Sequence, residues 1–197
     1  LLLSEGENDG KLHLFIEKER KKIKYMLKLN KKHKYLVLER TLMDYTDVIH
    51  RLKDNRLMHS EQEIILFEEA LEEVANTNDV HFIGQLMGVL DDETEQEEVM
   101  WGLIHTIEYL SGFSPKRGLK QMIAAVPMNI EKSREWMVIL HYRILNHDDY
   151  RNLFIEALKE ADIICKSVVL NLLEDIKDDN PSDFTDKVEE VKKGLCT

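Results

Sequence analysis

Apolar residues recur three and four positions apart along nearly the whole chain, and the every-second-residue alternation of a half-buried strand is almost absent. That period confines the chain to helices carrying one apolar stripe each, and every such stripe must be laid against another helix. Only 8 Gly and 3 Pro punctuate 197 residues, so long uninterrupted elements are favoured over a turn-rich β fold. Helices are expected over 11–34, 36–53, 61–76, 79–89, 94–110, 116–126, 131–146, 148–159, 161–177 and 183–194. Several ends carry readable chemistry. Ser60 with Glu63 fits a capping box ahead of "IILFEEALEEV", and Gly112 and Pro115 break "YLSGFSPKRG". "DDNPSD" closes one helix before Ser182 or Asp183 caps the next. From Ser60 onward helices alternate with short connections, a rhythm that suits antiparallel pairs stacked side by side. The fold class expected is all-α, arranged as a short HEAT-like α-solenoid.

Charge divides the chain. The net charge is −11, yet between Lys11 and Lys34 ten Lys and Arg oppose only Glu17 and Glu19. From Leu57 to Pro115 there are 14 acidic residues and no Lys or Arg. Such self-repulsion costs stability, and a cationic partner relieves it, which weighs against a merely solvated acidic face. The organisation expected is a loose tail at 1–10, a basic helical segment at 11–56, and an acidic body at 57–197 continuous with it. In the basic helix 11–34, Phe15, Ile16, Ile23, Met26 and Leu27 share one face. A basic amphipathic helix binds RNA or an anionic membrane surface, or packs on an acidic body; the acidic excess elsewhere favours the last. No apolar run reaches the roughly 18–20 residues of a membrane span. Cys165 and Cys196 form no C-x-x-C, so no structural disulfide is expected, and the expected setting is the cytoplasm.

Two stretches invite a functional reading. On the helix 94–110, Val99, Met100, Leu103, Ile104, Ile107 and Leu110 make a core stripe, while Glu98, Trp101, His105, Glu108 and Tyr109 make a second one. Aromatics anchor interfaces and carboxylates meet cations, so the second stripe resembles a recognition surface. A helix packed on two sides is the competing explanation. In "EWMVILHYRILNHDDY", residues 135–150, Arg143 falls within an apolar arc with Trp136, Ile139 and Leu140. Its guanidinium needs a carboxylate, and Glu98 or Glu108 would serve if the two helices were neighbours. Arg143 is therefore expected to be a structural clamp before it is a contact residue. Catalysis finds no foothold. His105 and Glu108 are spaced His-x-x-Glu, the reverse of the di-metal bundle motif, and no H-E-x-x-H, P-loop or G-x-S-x-G occurs. No enzyme activity, metal or cofactor is expected.

"VLDDETEQEEVMWGLIHTIEYL" and "REWMVILHYRILNHDDYRNLFIEALKEA" carry a resemblance. With the Asp91-Asp92 turn, the His105-to-Glu108 segment, "AAVP" ending at Pro127, Trp136 and "LHYRILN", the region from about residue 60 to 195 resembles the immunity protein 30 family of bacterial polymorphic-toxin systems. The resemblance implies an all-helical protein that performs no chemistry and neutralises a cognate secreted toxin by binding it. The toxin-contacting residues expected are Asp91, Asp92, Glu95, Glu98, Trp101, His105, Glu108, Tyr109, His141 and Asn146. The partner expected is a basic protein domain, for which a cationic nuclease is the apt class, rather than a membrane or a nucleic acid. Two other readings stay open: a HEAT-like interaction scaffold, and a nucleic-acid or membrane binder acting through 11–34.

Overall fold

Helix ends in this chain are set by chemistry that can be followed residue by residue in the computed structural model, which describes residues 46–196. The tail expected at 1–10, the basic helix at 11–34 and most of the helix at 36–53 lie outside the described residues. Those described form α1 (46–54), α2 (Glu61–Ala75), a 3₁₀ turn (Val80–Phe82) running into α3 (Ile83–Met87), α4 (Glu97–Gly112), α5 (Pro115–Asn129), α6 (Arg134–Leu145), α7 (Asp148–Glu160), α8 (Ile163–Asp179) and α9 (Pro181–Leu195). Among the described residues there is no strand, so the fold is all-α. Asp47–Thr197 forms one compact unit, and among the described residues no helix is long and apolar enough to cross a membrane.

Ser60 caps α2 by accepting the Glu63 N–H at 3.3 Å, while the Glu63 carboxylate reaches one residue past the cap to the His59 N–H at 2.9 Å. Asp162 caps α8, its Oδ1 accepting the N–H groups of Ile164 and Cys165, each at 2.9 Å. α4 and α6 start at Glu97 and Arg134 rather than at residues 94 and 131, and two boundaries at prolines are also corrected. α9 begins at Pro181, flanked by Asn180, so Ser182 and Asp183 lie inside its first turn. Proline suits that first position because its missing N–H would have no partner there anyway. α5 does not stop at residue 126 but runs through Pro127 to Asn129. The proline offers no N–H to the Ile123 carbonyl four residues back, a loss of one backbone bond, while the next turn still closes from the Ile130 N–H to the Val126 carbonyl at 3.0 Å.

The helices line up in two rows, each running in one direction. In the first row, α2 meets α4 at Leu71 and Gly102 and again at Asn78 and Tyr109, whose hydroxyl donates to the Asn78 amide oxygen at 2.7 Å. α4 meets α6 at Trp101 and Trp136, with ring centroids 5.7 Å apart, and again at Glu108 and Arg143. Because both contact positions advance together along each pair, α2, α4 and α6 are parallel. In the second row, α3 lies against α5 at Gly84 and Gln121 and at Gly88 and Asn129. α5 pairs with α7 through Lys116 and Glu156 at 2.9 Å and through Lys120 and Glu160. α7 meets α9 through Arg151 and Glu190 at 2.8 Å and through Ile155 and Gly194. Consecutive helices such as α4 and α5, or α6 and α7, fold back on each other to join the rows. α8 breaks the pattern: Arg134 at the start of α6 meets Asp175 near the end of α8, at 2.6 Å.

α4 is the core helix, with Met100, Leu103, Ile104, Ile107 and Leu110 all at 0% exposure. Each such side chain contributes about 1.5–3 kcal/mol of burial. Val99, placed with them by period, is only half-buried and turns toward α2. Cys165 is buried, Cys196 is exposed, and both are free thiols. α4 approaches α5 closely at Gly118, where an added Cβ would sit 2.3 Å from Ser111 Oγ and 3.0 Å from Ser111 Cα. By intrinsic propensity alone, Gly118→Ala would stabilise α5 by about 1 kcal/mol. The crowding against backbone reverses the sign, and we expect a net loss of about 1–3 kcal/mol in urea unfolding.

Candidate functional site

Stepped at about 100° per residue, the outer stripe of α4 has two edges. Glu98 and Tyr109 fall toward α2, Trp101 and Glu108 toward α6, and His105 lies between them. On the α6 edge, Trp101 meets the buried Trp136 edge-on at 82° and lies 6.0 Å from His105, centroid to centroid. His105 Nδ1 is 3.5 Å from a Glu108 oxygen. Arg143 grips both oxygens of Glu108, Nη2 to Oε2 at 2.8 Å and Nε to Oε1. Of the two carboxylates considered for Arg143, it meets Glu108 and not Glu98. The hydrogen bonds that Arg143 donates to Glu108, set against some desolvation, raise the Arg143 pKa above its ordinary value. The two side chains are 43% and 32% exposed, so the pair orients the stripe rather than supplying buried-ion energy, and is worth about 0–1 kcal/mol.

The α2 edge is a shallow groove. Glu68, Glu72 and Glu98 stand along it over a floor that includes Leu71, Val99 and Gly102. Glycine at 102 keeps the floor open to Leu71, whose Cδ2 would be 3.5 Å from an added Cβ. Glu68 and Glu72, four residues apart on α2, were not singled out in the sequence, although that spacing alone puts them on one face. At the far end Tyr109 and Phe113 pack edge to face at 5.2 Å, both more than half exposed. Among the described residues Glu68, Glu72 and Glu98 make no ion pair, whereas Glu73 is held by Arg51 at 2.6 Å. Glu95 accepts from His59 Nδ1 at 2.9 Å on the exposed rim.

Three of the residues expected to touch a partner are occupied inside the fold. Asp91, 5% exposed, accepts from Arg56 Nε at 2.8 Å and from the Glu93 N–H at 3.1 Å, while its carbonyl accepts from Trp136 Nε1 at 3.1 Å. Asp92 caps α6 from a distant part of the chain, accepting the Glu135 and Trp136 N–H groups at 3.1 and 3.4 Å. Beside them Lys132 donates to the Gly88 carbonyl at 2.8 Å. Its pKa is lowered chiefly by burial and then by Arg56 and Lys53, against the pull of Asp91. His141 is the clearest correction: at 2% exposure it cannot reach a partner. Its Nδ1–H donates to the Met137 carbonyl at 2.6 Å and its ring packs edge-on against Phe154. Burial holds its pKa below the ordinary 6.5. Asn146 is exposed and accepts from Lys187 Nζ at 2.6 Å. Among the described residues no three His, Cys, Asp or Glu side chains gather to hold a metal ion.

Two tests follow from these roles. Asp92→Ala should lower stability by about 1 kcal/mol, the ordinary worth of an N-cap, read from the urea midpoint. His141 binds its proton less readily folded than unfolded, so stability rises with pH across the interval below 6.5 and is lost as pH falls through it. Between about pH 7.5 and pH 5.5 wild type should lose more of its urea midpoint than His141→Gln, which has no imidazole to titrate.

The model of the immunity protein 30 family matches residues 54–154, from the end of α1 to the middle of α7. No curated protein and no solved structure matches the chain. The matched span contains the α2–α4 groove, the whole outer stripe of α4 and the Glu108–Arg143 pair.

Proposed function

Since the chain belongs to the immunity protein 30 family, we propose that it binds and neutralises a cognate bacterial toxin, and that the acidic groove and outer stripe of α2 and α4 meet a cationic toxin surface. The observation that carries the second part is the row of carboxylates Glu68, Glu72 and Glu98, which stand over an apolar floor and have no cation against them among the described residues. Glu95, Trp101, His105, Glu108 and Tyr109 extend that row across α4. Arg143 is a positioning residue, holding Glu108 in place. Asp91, Asp92 and His141 act from within, by fixing α6 and the stripe it faces.

The charge pattern fits a partner that itself binds polyanions. A nuclease presents a cationic cleft to phosphates, and glutamates set on a rigid helix pair compete for that cleft. Complementary fields also quicken encounter, which matters when a toxin is already at work in the cell. The two parallel rows support reading the body as a short HEAT-like α-solenoid, an architecture that offers extended faces to protein partners. Inhibition by occupation requires no chemistry from the chain, and it places the protein where the toxin acts, in the cytoplasm.

The test is growth rescue. The C-terminal domain of the large secreted protein encoded beside this gene is induced in a susceptible strain, with and without this chain. Wild type should rescue growth and co-purify with the toxin domain. The triple variant Glu68→Lys, Glu72→Lys, Glu98→Gln, which puts no cation at the start of α4, should bind at least about tenfold more weakly with helicity unchanged, and raised salt should weaken wild-type binding in the same direction. A folded triple variant that rescues as well as wild type would place the interface elsewhere. Toxicity unrelieved by folded wild type would remove the immunity reading of this pair.

A further inference from the structure

α3 ends at Gly88, and two lysines from distant parts of the chain come to that residue. Lys132, between α5 and α6, donates from Nζ to the Gly88 carbonyl at 2.8 Å. Lys53, near the end of α1, lays its side chain alongside: its Cε would be 3.9 Å from a Cβ added at Gly88. Arg56 stands next to them, donating from Nη1 to the Lys53 carbonyl at 2.6 Å and from Nε to Asp91 at 2.8 Å. Three cations thus gather in a chain whose net charge is −11.

Their charges do not balance. Asp91 is buried and already held by Arg56, and it also accepts the Glu93 N–H at 3.1 Å. With that pair neutral, the ammonium groups of Lys53 and Lys132 are left over, and among the described residues neither has an ion-pair partner. Capping accounts for one of them. A single cation serves the carbonyl end of a short helix, and Lys132 supplies it. Lys53 makes no side-chain hydrogen bond among the described residues and adds repulsion. Burial, then Arg56 and Lys53, hold the Lys132 pKa below its ordinary value against the pull of Asp91. An ammonium carries three donors, so Lys132 keeps two to offer and the exposed Lys53 keeps all of its own.

An anion between the two lysines turns their repulsion into attraction, and the excess sets its charge. A carboxylate leaves one of the two positive charges unmatched, whereas a phosphate group carries roughly −1.5 to −2 at neutral pH and matches both. Glycine at 88 keeps the ground clear, since an added Cβ would stand 3.6 Å from Asn129 Oδ1 and beside the Lys53 stem. We propose that Lys53 and Lys132 bind a dianionic oxyanion, a phosphate group, over Gly88 at the end of α3. Acceptor oxygens shared by both lysines join the end of α1 to the connection between α5 and α6. Neither lysine belongs to the groove or the outer stripe, so the site stands apart from the immunity reading.

The test titrates inorganic phosphate, sulfate and acetate into the full chain, with the backbone amides of Gly88 and Lys132 followed by NMR. Ionic strength is held constant, which separates binding from screening. Phosphate and sulfate should shift both amides saturably, and acetate should bind about fivefold more weakly, the upper worth of one exposed ion pair. Lys53→Met, a change at an exposed side chain, should weaken phosphate by about the same fivefold with helicity kept. Lys53→Arg, which keeps the charge, should restore it. Methyl phosphate distinguishes the source: undiminished binding admits a phosphate carried on a larger molecule, and weakened binding assigns the free ion. No saturable shift at the two amides, acetate equal to phosphate, or phosphate binding unchanged in Lys53→Met overturns the proposal.

Discussion

Two adjacent acids hold the described part of this molecule together. Asp91 ties the end of α1 to the segment after α3 through Arg56, and its backbone carbonyl receives the indole N–H of Trp136. Asp92 then satisfies two free N–H groups at the start of α6. A carboxylate at a helix N-terminus gains from the macrodipole as well as from the hydrogen bonds. α6 is thereby set against α4 in one register, with Trp136 beside Trp101 and Arg143 beside Glu108. The face that α6 turns to the outer stripe of α4 inherits its register from this turn. Lys132, bonded to the Gly88 carbonyl beside the same turn, closes the end of α3 and joins Arg56 and Lys53 as a cation near Asp91.

The acidic run from Leu57 to Pro115 thus divides into two populations. Some of its carboxylates are spent on the fold: Glu63 and Asp92 on backbone N–H groups, Asp91 on Arg56, Glu73 on Arg51 and Glu108 on Arg143. The cations that meet them come from outside the run, from α1 and α6. Asp79 and Glu95 meet His81 and His59, while Glu68, Glu72 and Glu98 stand beside the apolar floor of the groove. A composition count cannot separate the two groups, because each carboxylate is assigned by residues dozens of positions away.

That distinction measures what the sequence made legible. The helices and most of their ends could be read, since a 3.6-residue period and a capping residue are local signals. Ends at prolines were among the misplaced ones, since α5 runs through Pro127 and Pro181 opens α9 rather than preceding it, and α4 and α6 start at Glu97 and Arg134, about three residues later than expected. That Arg143 would need a carboxylate followed from its phase on α6, and the helical phase of α4 offered Glu108. The burial of His141 was hidden because the ring that covers it, Phe154, belongs to the next helix. A hollow behind the Glu108–Arg143 pair, lined by Ser111, Met122, Ile144 and Tyr150 among others from four successive helices, was invisible for the same reason. Glu68 and Glu72 were legible by spacing, yet only their position opposite Glu98 gives them meaning.

The parallel alignment of α2, α4 and α6 has a consequence for how such a protein can change over generations. Their N-termini carry Glu61 and Glu63, Glu97 and Glu98, and Glu135 in the first turn. α4 has no side-chain cap of its own, so its two glutamates are what offset the positive end of the helix. Replacing them with cations would loosen the helix before it altered any partner. A lineage under pressure to recognise a new adversary can therefore reshape this face freely with small, large or aromatic residues, but it inherits the sign of the charge along with the fold.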